Sequence, residues 1–170
     1  MQTQKIMKIN DFQAFQSLAS LKIAIASDHA GFRLKEIIKT HLSALGYEYK
    51  DFGTDKEEPV DYSDFAYLVS EEVSKKNFER GILICGTGLG MCIVANKLQG
   101  IRAVSCHNIK TAKLSREHND SNILTLGGRT MNPESAKKIV SVWLTAEFEG
   151  GRHARRINKI KTIEENSMKS

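Results

Sequence analysis

Short runs of apolar residues alternate along the chain with stripes of apolar residues that recur every three or four positions. A continuous run is typical of a strand buried on both faces, whereas a stripe such as Leu34, Ile38 and Leu42 is typical of one face of a helix. The runs predict five strands, at 22–27, 47–52, 81–85, 101–106 and 122–126. The stripes predict helices at 34–45, at 62–73, through 96–98, at 111–116, at 136–144 and at 152–165. This alternation predicts an α/β fold, in which a five-stranded parallel sheet is covered by helices on both faces.

Residues 1–20 stand apart from this pattern. They are polar with scattered apolar positions, which predicts a short amphipathic helix or a loose arm, and no residue there has an evident chemical role. We therefore expect an N-terminal extension over 1–20 and a single domain over 21–170 that ends in a helix. For a chain of 170 residues, one hydrophobic core is the expected arrangement.

The same alternation predicts where a ligand binds. In open parallel sheets, ligands bind beyond the carboxyl ends of the strands, at the point where the strand order reverses. If the first and third strands are neighbours there, the residues that follow these two strands meet. They are Ser27, Asp28 and His29 after the first strand, and residues 85–90 after the third.

Composition narrows the class of protein. Hydrophobic residues make up 41% and charged residues 26%, which is typical of a globular protein and excludes a disordered tail, a fibre or a coiled coil. The longest apolar runs are four or five residues, far short of the roughly 20 that a membrane-spanning helix needs, so we expect no membrane contact. The three cysteines, Cys85, Cys92 and Cys106, are widely spaced and odd in number, which argues against a disulfide framework or a Cys-x-x-Cys metal pair. We therefore expect a reducing, cytoplasmic compartment.

The net charge of +5 is concentrated in one segment. Its positive residues are Arg152, Arg155, Arg156, Lys159 and Lys161, with no acid among them, so the rest of the chain is neutral. One short basic segment suits a small anionic ligand better than nucleic acid. On a helix, Arg152 and Arg156 share a face and have the spacing to clamp one phosphate, although a solvated helix face explains the same charges.

Three glycines, Gly86, Gly88 and Gly90, follow the third strand. Glycine permits a positive φ and the close approach of a ligand, and successive N–H groups in such a loop bind anions. The loop lacks the Gly-Lys-Ser/Thr of a P-loop, and its spacing differs from the Gly-x-Gly-x-x-Gly of dinucleotide-binding folds. The remaining interpretations are an oxyanion-binding loop and a merely tight turn from strand to helix.

Cys85 lies at the mouth of this loop. The electropositive surroundings favour its thiolate, which predicts a nucleophile or a base. The alternative is a small buried side chain, which is how we interpret Cys92 and Cys106. After the first strand, Asp28 either caps the following helix or binds hydroxyl groups or an anion together with His29.

A second polar cluster, at residues 115–120, precedes the fifth strand. It is therefore expected at the amino end of the sheet, far from Cys85 in the same subunit. His118 in this cluster is either structural or delivered to the site by a second subunit.

These residues lie in stretches that resemble the sugar-phosphate isomerase family of the type B ribose-5-phosphate isomerases. The stretches are KIAIASDHAGFRLK (22–35), VDYSDFA (60–66), GILICGTGLGMCIVANKLQGIRA (81–103), LSREHNDSNILTLGGR (114–129) and FEGGRHARRI (148–157). The resemblance implies a Rossmann-like αβα sandwich that needs no cofactor and no metal. It implies a homodimer, or a tetramer of paired dimers, with active sites shared between subunits. The implied partner is a small-molecule sugar phosphate, with no nucleic acid and no membrane, and the implied reaction interconverts ribose 5-phosphate and ribulose 5-phosphate in the pentose phosphate pathway.

The resemblance also implies roles for individual residues. Cys85 matches the base that moves a proton between C1 and C2 through an enediolate, Thr87 lies in the loop that cradles the enediolate, and His118 matches the residue that opens the furanose ring. The implied substrate-binding residues are Asp28, His29, Tyr62, Gly86, Gly88, Leu89, Gly90 and Asn119, with Arg129, Arg152 and Arg156 at the phosphate end. Some relatives have a Glu base where this chain has Met91, which cannot take a proton, and many have Pro where it has Ser63.

Two other functions stay open. An isomerase for a phosphohexose, such as allose 6-phosphate or galactose 6-phosphate, differs by one carbon of reach between the loop and the arginines. A non-catalytic phosphate-ligand sensor, or a nucleic-acid binder that uses the basic tail, would bind its ligand without turnover.

Overall fold

The computed structural model describes residues 21–167, so the extension predicted over 1–20 lies outside the described residues. Within 21–167 the structure has five strands and six helices. The strands are β1 (Ile23–Ser27), β2 (Tyr49–Asp51), β3 (Arg80–Cys85), β4 (Ala103–Ser105) and β5 (Ile123–Gly127). The helices are α1 (Phe32–Ala44), α2 (Tyr62–Ser74), α3 (Leu89–Ala95), α4 (Ile109–Asn119), α5 (Pro133–Thr145) and α6 (Gly151–Ser167).

The five strands form one parallel sheet in the order β2-β1-β3-β5-β4. Ile25 and Ile82 point to one face, where they pack with apolar residues of α1, α4 and α5. Ala24 and Leu83 point to the other face, where they pack with apolar residues of α2 and α3. Because helices cover both faces, the central strands are buried except at Arg80, the first residue of β3, which confirms the predicted Rossmann-like αβα sandwich.

The two edge strands are shorter than the apolar runs that predicted them. Before β2, Gly46 has a φ of 81°, and the amide of Tyr47 still bonds to the carbonyl of Leu42 in the preceding helix, so the strand begins only at Tyr49. Before β4, Asn96 ends α3 and makes two hydrogen bonds of 2.9 Å to the backbone of Ala103. These contacts belong to turns, and residue type alone did not reveal them.

Helix α4 is longer than predicted. The side chain of Asn108 accepts a hydrogen bond of 2.9 Å from the amide of Thr111 and caps the helix at its start. The helix then continues to Asn119, so that His118 lies in its last turn. The whole cluster expected before β5 is therefore helical almost to its end.

The strand order reverses between β1 and β3. The chain passes from β1 to β2 on one side and then returns to β3 on the other side of β1. The carboxyl ends of β1 and β3 are adjacent as a result, and the amide of Asp28 donates to the carbonyl of Ile84 at 3.3 Å. This confirms the predicted meeting of the residues that follow these two strands.

Helix α6 carries the basic segment. It is exposed along most of its length, and apolar side chains such as Ile160 and Ile163 face solvent in the single chain. One contact to the rest of the fold is a hydrogen bond of 2.8 Å from the amide of Gly100 to the carboxylate of Glu164. Among the helices formed by residues 21–167, none combines the length and apolar character needed to span a membrane.

Candidate active site

The glycine loop after β3 contacts the sulfur of Cys85. Cys85 is the last residue of β3 and is 5% exposed. The amide of Gly88 donates a hydrogen bond of 3.2 Å to its Sγ atom. Such a bond stabilises a thiolate more than a thiol, because the charged acceptor is the stronger one.

Gly88 holds the loop in a conformation that other residues rarely adopt. Its φ is 82°, in the left-handed region, and a Cβ atom there would lie 2.9 Å from the carbonyl carbon of Leu126 in β5. The next residue, Leu89, begins α3. The turn from strand to helix therefore needs glycine at this position, whatever else the loop does.

Backbone bonds join this loop to the end of β5. The amide of Gly128 donates to the carbonyl of Cys85 at 2.8 Å, and the amide of Arg129 donates to the carbonyl of Gly86 at 3.0 Å. The Arg129 side chain runs beside the loop, since a Cβ atom on Gly86 would lie 3.7 Å from its Cδ. Thr87, at the exposed tip, accepts a hydrogen bond of 3.3 Å from the amide of Leu89. The structure thus brings together Cys85, the loop and one cation.

Tyr62 covers the start of α3 from a different helix. It is the first residue of α2, and its ring lies so close to Gly90 that a Cβ atom there would be 2.7 Å from two ring carbons. The ring is partly exposed to solvent. It therefore forms a rim of the same loop that holds Cys85.

Asp28 and His29 lie on the β1 side of the switch point. Asp28 is buried and accepts a hydrogen bond of 2.9 Å from the amide of Gly31, the residue that caps α1. Asp28 therefore closes the turn before the helix but is not its N-cap, which is Gly31, three residues later. The Nδ1 atom of His29 lies 3.2 Å from the amide nitrogen of Val60, which ties the ring to the loop before α2.

We call these residues the carboxyl-edge group, because they lie at the carboxyl ends of β1, β3 and β5 or against the loops that follow. Its members are Asp28, His29, Tyr62, Cys85, Gly86, Thr87, Gly88, Leu89, Gly90 and Arg129.

The remaining predicted residues lie at the opposite edge of the sheet. Helix α4 runs back along the sheet and ends just before β5 begins, which places His118 and Asn119 at the amino ends of the strands. The first turn of α6 lies against His118, so Arg152 and Arg156 belong to the same side. We call these four residues the amino-edge group. The order of elements predicted that this group lies far from Cys85 within one chain, and the structure agrees.

Two residues beside His118 were missed by our reading of the sequence, Glu149 and His153. The His118 and His153 rings are stacked, with centroids 4.1 Å apart and planes 7° from parallel. The Oε2 atom of Glu149 lies 3.8 Å from Nε2 of His118 and 3.6 Å from Nε2 of His153. The i, i+4 spacing of Glu149 and His153 was the available signal, but their approach to α4 depends on tertiary packing.

These three side chains have the ligand types of a zinc site, with all three candidate ligand atoms within 4.8 Å of one another. Their arrangement does not suit a cation. Two parallel imidazole rings cannot direct their in-plane lone pairs at one ion. In addition, Nε of Arg152 already donates to Nε2 of His153 at 3.3 Å, which puts a positive charge beside the centre.

Comparison with known proteins supplies a family. The family model described as Ribose/Galactose Isomerase matches residues 23–160. The chain is 49% identical to ribose-5-phosphate isomerase B of Escherichia coli over 144 residues, and the aligned region covers 85% of this chain and 97% of that protein. It is 44% identical over 142 residues to D-erythrulose-4-phosphate isomerase of Pectobacterium atrosepticum, which covers 82% of this chain and 93% of that protein. The structure of Clostridium thermocellum ribose-5-phosphate isomerase B superimposes with a TM-score of 0.85 at 53% identity, over 86% of this chain and 99% of that one.

Proposed function

The chain belongs to the ribose/galactose isomerase family of sugar-phosphate isomerases, and on that premise we propose that it interconverts ribose 5-phosphate and ribulose 5-phosphate. This activity would place it in the pentose phosphate pathway. The observation that carries the proposal is the sulfur of Cys85, which accepts a hydrogen bond from the amide of Gly88 at the switch point of the sheet. The reaction needs a reduced thiol, which the cytoplasm maintains, so we place the enzyme there.

Cys85 is the proposed base. Isomerisation removes a proton from C2 of the open-chain aldose to form an enediolate, moves the hydroxyl proton from O2 to O1, and returns a proton to C1, so that the carbonyl moves from C1 to C2. A thiolate can take and return that proton, and the hydrogen bond from the amide of Gly88 holds the sulfur in place. The other amides of the loop are the proposed donors to the oxygen that gains negative charge. Thr87 and Tyr62, which belong to the loop and its rim, are exposed, and we infer that the substrate approaches over them.

His118 is the proposed residue for ring opening. Ribose 5-phosphate is mainly a furanose, and opening it requires a proton to leave the C1 hydroxyl while another reaches the ring oxygen as the C1–O4 bond breaks. An imidazole can supply such a proton near neutral pH. The phosphate is the proposed ligand of Arg129, Arg152 and Arg156, whose charges hold the open-chain sugar in place.

These roles require two copies of the chain, because His118 and Cys85 lie at opposite edges of the sheet in one copy. The surface around Cys85 supports such a pairing, since Leu89 is 53% exposed and Ile93 is 63% exposed on α3. Clustered apolar side chains of this kind mark protein interfaces. We therefore propose a homodimer in which each site combines the carboxyl-edge group of one subunit with the amino-edge group of the other. A pairing of dimers into tetramers is compatible with this arrangement.

Turnover on sugar phosphates of different length tests the proposed substrate. The purified protein should convert ribose 5-phosphate faster than allose 6-phosphate or galactose 6-phosphate, as measured by product formation in a coupled assay. A higher kcat/KM on a phosphohexose would transfer the assignment to the six-carbon alternative. Binding of all three sugars without turnover would favour a non-catalytic sensor. Because the Pectobacterium relative is named for a four-carbon ketose, D-erythrulose 4-phosphate belongs in the same comparison.

A further inference from the structure

We propose that Glu149 and His153 are positioning residues that hold the His118 imidazole for ring opening. The proposal rests on the ring-opening role proposed above for His118. Neither residue touches the reacting carbons in this arrangement. Both act through the side chain that does.

His153 supplies the fixed surface of the pair. It is 5% exposed, whereas the side chain of His118 is 34% exposed, so one ring is enclosed and the other is accessible. The backbone also holds His153, since its amide donates to the carbonyl of Gly150 at 2.9 Å in the first turn of α6. A ring stacked at 4.1 Å on an enclosed neighbour cannot rotate freely, so His118 is kept in one orientation.

The charge state of His153 suits this task. Burial, followed by the charges of His118 and Arg152, lowers the pKa of His153, so its ring stays neutral near pH 7. The guanidinium of Arg152 donates to Nε2 of His153 at 3.3 Å, which leaves the ring proton on Nδ1. A neutral ring beside His118 adds no full positive charge when His118 itself gains a proton.

Glu149 supplies the opposite charge. Its amide donates to the carbonyl of Glu117 at 3.0 Å, and this bond holds the turn before α6 against the end of α4. Its carboxylate then lies 3.8 Å from Nε2 of His118 and attracts an N–H proton at that atom. Because the Glu149 side chain is 52% exposed, solvent weakens this attraction, and we expect Glu149 to matter less than His153.

Ring opening can be separated from proton transfer at carbon. Ribulose 5-phosphate has its carbonyl at C2, and the oxygen that would close a five-membered ring, O5, carries the phosphate. The ketose is therefore open-chain, and exchange of its C1 hydrogen with solvent needs Cys85 but no ring opening. Interconversion of the two furanose anomers of ribose 5-phosphate needs ring opening but no proton transfer at carbon.

The experiment measures both processes by NMR on the full-length enzyme. Anomer exchange of ribose 5-phosphate is followed in a Cys85→Ala background, and deuterium uptake at C1 of ribulose 5-phosphate is followed with Cys85 intact. General acid–base catalysis contributes about 10²–10⁴-fold, and His153→Ala should lose roughly tenfold or more of the anomer exchange, with a smaller loss for Glu149→Gln. Deuterium uptake at C1 should stay near the wild-type rate in both variants.

Two further variants separate positioning from folding. His153→Phe keeps a flat ring beside His118 and should recover most of the anomer exchange that His153→Ala loses. Glu147→Gln removes a carboxylate from the same exposed segment, two positions away, and should leave both rates unchanged.

Two results of this experiment would overturn the proposal. Wild-type anomer exchange in His153→Ala and Glu149→Gln would show that neither residue positions His118. Equal losses of anomer exchange and C1 deuterium uptake would show a general structural role. A failure of the proposed function gives a different result: the unsubstituted enzyme would then catalyse no deuterium uptake at C1 of ribulose 5-phosphate.

Discussion

The carboxyl-edge group and the amino-edge group are built by different means. In the first, the backbone holds the site: strand ends, a left-handed glycine and amide-to-carbonyl hydrogen bonds fix Cys85 and its loop. In the second, side chains on two helix ends hold one another, through the stack of His118 on His153 and the carboxylate of Glu149 beside His118. A parallel sheet therefore creates a site directly at its switch point, whereas the site at its other edge depends on how helices pack.

The strongest test of this contrast removes the proposed base. Cys85→Ala should lose about 10²–10⁴-fold in kcat on ribose 5-phosphate and in deuterium uptake at C1 of the ketose, because both need a general base. His118→Ala should lose activity on the cyclic aldose but retain deuterium uptake on the ketose. Steady-state rates and NMR in D₂O give the two readouts.

Cys92→Ala is the control for this test, because the thiol of Cys92 donates a hydrogen bond of 3.4 Å to the backbone carbonyl of Ala103, away from the glycine loop. Near wild-type turnover in Cys85→Ala would remove the base assignment and with it the functional difference between the two groups.

A second test strains the backbone of the carboxyl-edge group. Gly88→Ala places an alanine in the left-handed region, which costs about 1–2 kcal/mol of folding free energy. The added Cβ atom would also lie against the carbonyl of Leu126. Because the loop also carries the proposed oxyanion donors, kcat should fall by about 10²–10³-fold, the usual cost of one lost donor. Urea unfolding and steady-state rates would be measured together.

Gly100→Ala is the matched control for this loop. Gly100 has a similar φ of 75°, but among residues 21–167, its two chain neighbours apart, no atom lies within 4 Å of the Cβ that the substitution adds. It should lose a similar amount of stability from the backbone strain while keeping its activity. If both variants kept full kcat, loop geometry would not contribute to the chemistry.

The third test asks whether the two groups meet across subunits. Mixed after unfolding, Cys85→Ala and His118→Ala chains form about half heterodimers, each with one intact shared site, so activity should recover to about a quarter of wild type. Refolding each variant alone provides the baseline. If mixtures showed only the average of the two separate activities, each site would be complete within one chain.

The smallest expected effect concerns the support beneath the carboxyl edge. Lys35 is buried, and its Nζ lies 2.5 Å from a carboxylate oxygen of Asp51 at the end of β2. Burial alone raises the pKa of Asp51, but hydrogen bonds from Lys35 and Lys39 hold it below its usual value. A lowered pKa means that this stabilisation is present above about pH 3.9, the unfolded value, and is lost as the pH falls through the folded value.

Asp51→Asn should therefore unfold at lower urea than wild type at pH 7, and the gap should narrow as the solution is acidified towards pH 3. A gap that stays constant over this range would show that the charge of Asp51 is not responsible. Glu58→Gln, which removes an exposed carboxylate paired with Lys56, is the control and should change stability little at any of these pH values.

The sequence predicted the carboxyl edge better than the amino edge for a physical reason. The alternation of elements predicts a parallel sheet, and once β1 and β3 are neighbours, Asp28 and Cys85 must lie close together. The same logic placed His118 at the other edge. It did not reveal Glu149 or His153, because their approach to His118 depends on the packing of α6 against α4.

The lack of a Cβ atom at Gly90 couples this position to Tyr62. Gly90 leaves a space that the aromatic ring of Tyr62 occupies, although the two residues belong to different helices. Any larger residue at position 90 would displace that ring, so the effect of a substitution at 62 depends on what stands at 90. The two positions should therefore evolve as a pair, and a combinatorial library should vary them together.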